Sequence, residues 1–189
     1  KILAEARVMV EHGAKELVLL GQIVDRYGLD LPNGILLPQL LTSLSEIEGL
    51  ERIRFLTSHP NWMTDDLIDA VAALPKVMPH IEVPVQAGDD EILLAMRRGY
   101  SNQNYCDLIA RIRDRIPDVS IGTDIIVGFP GESEVAFEQT YKLLEDLKLD
   151  VAHLARYSPR PNTYSAKFLP DDVSAEEKMR RFRALEDLQ

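Results

Sequence analysis

The 189-residue chain has one cysteine, one tryptophan and few aromatic residues, 6% in all. A single thiol forms no internal disulfide, which suits a reducing cytoplasm, and the chain is expected to be cytoplasmic. Nor does one thiol build a zinc or iron–sulfur site, which takes several ligands. No apolar run approaches the ~20 residues that cross a bilayer, so no membrane partner is expected. Basic residues are the minority, 21 Lys and Arg against 31 Asp and Glu, for a net charge of −10. Phosphate contact needs clustered cations, so this balance argues against the chain being the main grip on nucleic acid. No Gly-x-Gly-x-x-Gly follows a strand-like run, which weakens a dinucleotide-binding reading. No signal peptide is visible. The first residue is Lys1, inside a helical pattern (Ile2, Leu3, Ala6, Val10), and both ends read as boundaries within a longer protein.

What is present is a globular composition, 46% apolar and 28% charged. The length fits one domain, which would bury roughly 70% of the unfolded chain's surface. Two periodicities alternate. Short apolar runs at 17–20, 53–57, 81–85, 119–127 and 151–157 read as buried strands of a parallel sheet. Between them lie helical stripes: Leu40, Leu41, Leu44, Ile47; Leu67, Ile68, Val71, Leu74; Tyr105, Leu108, Ile109, Ile112, Ile116; Phe137, Tyr141, Leu144; and Met179, Phe182, Leu185. Pro38 suits a first helical turn. Thr64, Ser101 and Ser133 are expected caps, and Ser174 with Glu177 spells a capping box. The strand starts recur at the spacing of a βα unit. Five such units predict an α/β fold, a (β/α) barrel or part of one, with a doubly wound open sheet as the competing architecture. Pro84 is awkward inside a strand and reads as a bulge or an edge.

In such barrels the site forms where strands end. Those positions hold Gly21-Gln22, Ser58-His59-Pro60, Gln86-Ala87-Gly88-Asp89, Gly128 to Glu132 with Asp124 inside the strand, and Tyr157-Ser158-Pro159-Arg160-Pro161. Glycines there admit a ligand close to the backbone. Gln and Asp suit ribose hydroxyls and amino groups. Arg160 suits a carboxylate or a phosphate. No nucleophile–base set and no carboxylate pair is spelled out, as expected where a cofactor carries the hard chemistry. Each residue also has a plainer reading. Gly128, Pro130 and Gly131 read equally as a strand-to-helix turn. His59 alone reads as a loop residue, and His12, His80 and His153 as structural or surface residues. Cys106 reads as a small buried hydrophobe. Met78 and Met96 read as gap-fillers, and Asp89 to Glu91 as the opening of a short helix.

Six stretches in this order resemble the radical S-adenosylmethionine (SAM) methylthiotransferases. They are Leu19-Leu20-Gly21-Gln22 with Tyr27-Gly28; Ile53-Arg54-Phe55 with Thr57-Ser58-His59-Pro60; Pro84 to Asp89; Met96-Arg97-Arg98-Gly99-Tyr100; Thr123 to Glu132; and Tyr157 to Pro161. The Ser-His-Pro and Ser-Pro-Arg-Pro stretches are similar to the branch acting on an isopentenylated adenosine beside the tRNA anticodon. The branches acting on threonylcarbamoyl-adenosine in tRNA or on a ribosomal protein aspartate compete, and a non-catalytic SAM-binding module is the reading from another class. The resemblance implies a partial TIM-like (β/α) barrel of the radical SAM type, residues 1–189, with about five of six βα units. It implies SAM and [4Fe-4S] clusters in the parent enzyme, with cluster cysteines, an N-terminal domain and an RNA-binding C-terminal domain outside this chain. It implies that one SAM methylates a sulfur and a second is cleaved to a radical that takes a hydrogen from the adenine. No cofactor, cluster or activity is expected in this chain by itself. The implied partners are tRNA, held mainly by the C-terminal domain, and an electron donor protein. By resemblance, Gly21 and Gln22 lie near the SAM amino-acid end. Ser58, Gln86 and Asp124 line its ribose and sulfonium, and Gly128, Pro130, Gly131 and Tyr157 frame its adenine. Arg160 reaches the SAM carboxylate or an RNA phosphate. Ile23, Ala87 and Asn162 stand where the family usually has Asn, Ser and Gly.

Overall fold

The computed structural model describes residues 1–31 and 34–189. The chain divides into two compact units. The first is Lys1–Val83 with Ala110–Ser120, and the second is Pro84–Ile109 with Ile121–Gln189.

The first unit opens with helix α1 (Ile2–Glu11) and strand β1 (Glu16–Leu19). Helix α2 (Leu37–Ser45) has Pro38 in its first turn, where a missing N–H costs nothing. It buries Leu40, Leu41 and Leu44, the expected stripe. Strand β2 (Arg52–Phe55) pairs in parallel with β1, setting Leu17 beside Ile53 and Leu19 beside Phe55. Helix α3 (Asp65–Ala73) is capped by the Thr64 hydroxyl, which accepts from the Leu67 N–H at 3.3 Å. Asp65 and Asp66 lie in its first turn, the positive end of the helix dipole. Strand β3 (His80–Glu82) completes the unit's strands. His80 is structural as expected, with its ring between the Ser120 hydroxyl (3.1 Å) and the Glu82 carboxylate (2.9 Å). The C-terminal turns of α5 (Asn102–Arg115) belong here too, where Arg115 pairs with Asp65 at 3.0 Å.

The second unit carries α4 (Asp90–Ala95), β4 (Ser120–Val127), α6 (Glu134–Leu147), β5 (Val151–Arg156), α7 (Tyr164–Phe168) and α8 (Ala175–Leu188). Strands β4 and β5 run parallel, Ile125 opposite Leu154 and Val127 opposite Arg156. Asp89, Ser133 and Ser174 cap α4, α6 and α8 through their side-chain oxygens. Ser101 accepts from the Asn104 N–H at the start of α5, as expected of a cap. Tyr105, Leu108 and Ile109 of that helix are buried with Ile121, Ile125 and Val127 of β4 in the core.

The α/β reading with parallel pairing holds, and four details differ. Not every apolar run is a buried strand. In β1 and β2 alternate side chains face outward, leaving Val18 and both Arg52 and Arg54 exposed, because side chains of a strand covered on one face alternate between core and solvent. Strand β5 is mostly exposed, since it pairs only with β4 among the described residues. Pro84 is neither bulge nor edge: β3 stops at Glu82. Beyond it the Val85 N–H donates to the Thr123 hydroxyl at 3.0 Å, and the Tyr100 hydroxyl donates to the Val85 carbonyl at 2.9 Å. Lastly, α8 buries Lys178, Arg181 and Leu185, not Met179 and Phe182. Its two buried cations are drawn inward by carboxylates: Lys178 reaches Asp171 at 2.5 Å and Arg181 reaches Glu132 at 2.8 Å.

Candidate functional site

Among the described residues, the polar strand ends of each unit form a distinct neighbourhood. In the first unit, the loop after β1 is stapled to the loop after β2. The Val24 N–H donates to the Thr57 carbonyl at 3.0 Å, and the His59 N–H donates to Asp25 Oδ2 at 2.9 Å. Thr57 takes a positive φ of 68°, a conformation that L residues adopt at a cost. Ser58 follows it and is buried. Its Oγ has no hydrogen-bond partner among the described residues, and neither has Asp25 Oδ1. An orphaned buried hydroxyl is expensive unless something completes it. Asp25 is 8% exposed, and burial pushes its carboxyl pKa up to about 6 against the pull of the His59 amide. Gln22 lines a shallow cavity of about 430 Å³ with Ile23, Arg26, Leu29 and Asp30. Gly21 sits against Val24, whose Cγ2 would lie 3.3 Å from an added Cβ. The His59 ring accepts from the Asn61 N–H at 3.3 Å and so helps form the turn at Pro60–Trp62.

In the second unit, Gln86 is held by its backbone. Its N–H donates to the Asp124 carbonyl at 2.8 Å, its carbonyl accepts from Ile126 at 2.9 Å, and its φ is 77°. Gln86 thereby lines a cavity of about 420 Å³ with Tyr157 and Arg160. Phe129 and Tyr157 make the aromatic wall, rings 5.1 Å apart and nearly perpendicular at 71°. Asp124 lies on the same face of β4 as Ile126, which also lines the cavity, but is not itself part of the lining. A cavity of this size suits a nucleoside-sized ligand.

The Gly128–Glu132 turn is built differently from a simple ligand cradle. Gly128 has φ 72°, its N–H donates to Glu132 Oε2 at 2.5 Å, and a Cβ there would collide with the Lys178 stem. Its lack of a side chain makes room for α8. Glu132 is 3% exposed; burial pushes its pKa up, while the Gly128 amide and Arg181 pull it down. Arg181 also donates to the Glu132 carbonyl at 2.8 Å, so α8 locks the turn from below. Pro130 and Gly131 line a second cavity of about 430 Å³, shared with Asp89 and Gln139. There Gln139 donates to Asp89 at 3.0 Å, and the Gly88 N–H donates to the Thr140 hydroxyl at 2.9 Å.

Of the ten anticipated site residues, then, Gln86, Tyr157 and Arg160 share one cavity, Pro130 and Gly131 another, Asp124 and Gly128 line neither of these, and Gly21, Gln22 and Ser58 lie in the first unit. Sequence reasoning missed Asp25, Arg97, Arg156 and Tyr164. Arg97 and Arg156 were within reach, since one stands in a recognised stretch and the other ends a strand.

The residues do not fit an iron–sulfur cluster. Cys106 is half-buried rather than enclosed, its thiol lies 3.3 Å from Asn102 Oδ1, and burial pushes its pKa up. Among the described residues no group of three His, Cys, Asp or Glu side chains gathers to hold a metal. Among the described residues, no helix is long and apolar enough to cross a membrane.

The family model of the radical SAM superfamily matches residues 1–144. A tRNA-2-methylthio-N(6)-dimethylallyladenosine synthase of Dehalococcoides mccartyi is 54% identical over 98% of this chain and 44% of its own length. Proteins of the same name from a Roseiflexus species and from Thermotoga petrophila are 55% and 46% identical over the whole chain, covering 40% and 42% of their own lengths. The chain thus spans under half the length of the curated relatives it matches. Among solved structures, coproporphyrinogen III oxidase of Escherichia coli, a radical SAM enzyme, superposes with a TM-score of 0.72 at 18% identity, over 98% of this chain and 44% of that one. The radical SAM methyltransferase TsrM of Kitasatospora setae gives 0.68 at 15% identity, over 87% and 32%. At such identities the likeness shows the fold. That fold is α/β with parallel strands, the radical SAM type, consistent with a partial (β/α) barrel.

Proposed function

The chain belongs to the radical SAM superfamily, and on that premise we propose that it is the barrel core, residues 1–189, of a longer enzyme that methylthiolates an isopentenylated adenosine next to the tRNA anticodon. The carrying observation is the identity of 46% to 55% along essentially the whole chain to proteins of that activity.

Cluster ligation falls to the enzyme's remaining residues, because this chain's donor set does not fit one. SAM, when bound, supplies the methyl group and the means of taking a hydrogen from the base. For SAM the residues do fit. Gln86 and Tyr157 line a nucleoside-sized cavity of the second unit. There Gln86 serves the ribose, and Tyr157 frames the adenine. Gly128 acts at one remove: with Pro130 and Gly131 it forms the turn that Glu132 and Arg181 hold rigid. The chain's part is to orient two reactants, which is worth a large share of a barrier when the geometry is fixed. tRNA and an electron donor protein are the partners of the whole enzyme, in the cytoplasm.

Mass spectrometry of tRNA nucleosides from a strain lacking the gene tests this. The expected result is loss of 2-methylthio groups from isopentenylated adenosine. Loss from threonylcarbamoyl-adenosine alone, or from a ribosomal protein aspartate, would move the assignment to that substrate.

A further inference from the structure

One lysine of the second unit is buried at a place where its charge is costly. Lys178 of α8 keeps only 8% of its side chain exposed. Its ammonium reaches Asp171 at 2.5 Å, yet Asp171 holds 35% of its own side chain in solvent. A part-exposed carboxylate offsets only part of what burying an ammonium costs. An apolar side chain of similar volume fills such a place at least as well. Stability therefore does not account for the charge.

The surroundings show what the ammonium does. The lysine stem crosses Gly128, where an added Cβ would lie 2.2 Å from Cγ. That path carries Nζ over the Tyr157 ring, 5.1 Å from its centroid, within reach of the attraction between a cation and an aromatic face. The backbone of Tyr157 is fixed by its N–H, which donates to the Val127 carbonyl at 2.8 Å. Two contacts hold the ring itself: the Phe129 ring, 5.1 Å away, and the Lys178 ammonium. Phe129 and Tyr157 line the cavity, while Lys178 and Asp171 do not, so the cation acts on the wall from outside the cavity. Asp172 accepts from the Gly131 N–H at 2.8 Å and so ties the segment carrying Asp171 to the turn after β4. Lys178 and Asp171 both lie beyond residue 144, where the match to the superfamily model ends.

We propose that Lys178 is a positioning residue for SAM: held by Asp171, its ammonium fixes the Tyr157 ring at the angle at which it frames the adenine. The proposal rests on the reading that Gln86 and Tyr157 seat SAM. It assigns no contact between Lys178 and SAM. A ring fixed before the ligand arrives loses no further rotamer freedom on binding, and affinity rises accordingly. The role also explains Gly128, because a side chain there would push the lysine stem off its path.

The test is calorimetric titration of the full-length, cluster-loaded enzyme with S-adenosylhomocysteine, which carries the same adenine and has no methyl group to transfer, alongside thermal unfolding. Lys178→Met keeps the stem and removes the ammonium. It is expected to unfold no earlier than the parent yet bind about fivefold more weakly. Lys178→Arg restores a cation and should bring affinity back to within about twofold of the parent. Asp171→Asn, at a half-exposed position, releases the ammonium and should weaken binding in the same direction. Tyr157→Leu should weaken binding by itself, and adding Lys178→Met to it should change nothing more, because the lysine acts through the ring. Parent-like affinity in Lys178→Met would overturn the proposal. So would an equal further loss in the Tyr157→Leu background, or a loss that Lys178→Arg does not repair. If Lys178→Met unfolds earlier than the parent, Asp171→Asn decides, and unchanged affinity there overturns the proposal. Unchanged affinity in Tyr157→Leu would sink the seating of SAM on this cavity and the positioning role with it. Weakened binding in Tyr157→Leu beside parent-like binding in Lys178→Met would sink the positioning role alone. The nucleoside assay is independent: unaltered methylthio groups in the deletion strain, with the lysine-dependent affinity intact, would sink the assigned reaction and leave this role standing.

Discussion

Replacing Asp25 with asparagine should stabilise the protein at neutral pH and remove part of its pH dependence. The carboxyl is 8% exposed, accepts one backbone N–H at Oδ2 and leaves Oδ1 without a partner among the described residues. Burial raises its pKa from 3.8 to about 6. Below the unfolded value both states hold the proton, and the group costs folding nothing. As pH rises toward 6, the unfolded chain releases its proton and the folded chain keeps it, so stability falls. Above 6 the buried side chain is ionised and the loss is complete. About two pH units of difference correspond to about 3 kcal/mol. Asparagine keeps the acceptor for the His59 amide and cannot ionise, but its amide N–H group replaces the unpartnered oxygen, which offsets about 1 kcal/mol of the gain. Urea unfolding of both proteins from pH 4 to 8 should therefore give nearly equal stabilities at pH 4. A gap of about 2 kcal/mol in favour of the Asp25→Asn variant should open by pH 8. Other carboxylates titrate in this range too, so the difference between the two proteins is the quantity that matters. Parallel curves would refute the reasoning, and so would a variant less stable at pH 8.

The buried pair of Glu132 and Arg181 should behave as a unit. Arg181→Met leaves a carboxylate uncompensated and is expected to cost about 3 to 5 kcal/mol. Adding Glu132→Gln should recover much of it, so a double-mutant cycle in urea without coupling would count against the pair. Leu41→Ala, at a fully buried position of α2, should cost about 2 to 5 kcal/mol in the same measurement. Thr64→Ala removes the cap of α3 and should cost about 1 kcal/mol, visible as a lowered Tm.

Features resting on local chemistry could be read from the sequence. Thr64, Ser133 and Ser174 cap helices because a cap needs only a side-chain oxygen two or three residues from the amide it serves. The strands recur at βα spacing because short apolar runs end at glycine or polar residues. Features resting on distant partners could not be read this way. Pattern reading turned Met179 and Phe182 inward because cations rank as solvent-facing. Lys178 and Arg181 are buried because Asp171 and Glu132 wait for them. Asp25 carries no local signal in the sequence, and it becomes a buried acid only when the loop carrying Ser58 and His59 closes over it. The same reasoning explains why Tyr157 and Gln86 were among the anticipated residues while Arg97 was not. Strand ends are visible in a sequence, whereas the left-handed turn that carries Arg97, at φ 58°, is not. Net charge misleads for a related reason. It averages over the whole surface, while a ligand meets the local field. In the cavity at the end of β5 that field comes from Arg97, Arg98, Arg156 and Arg160, and no Asp or Glu lines it.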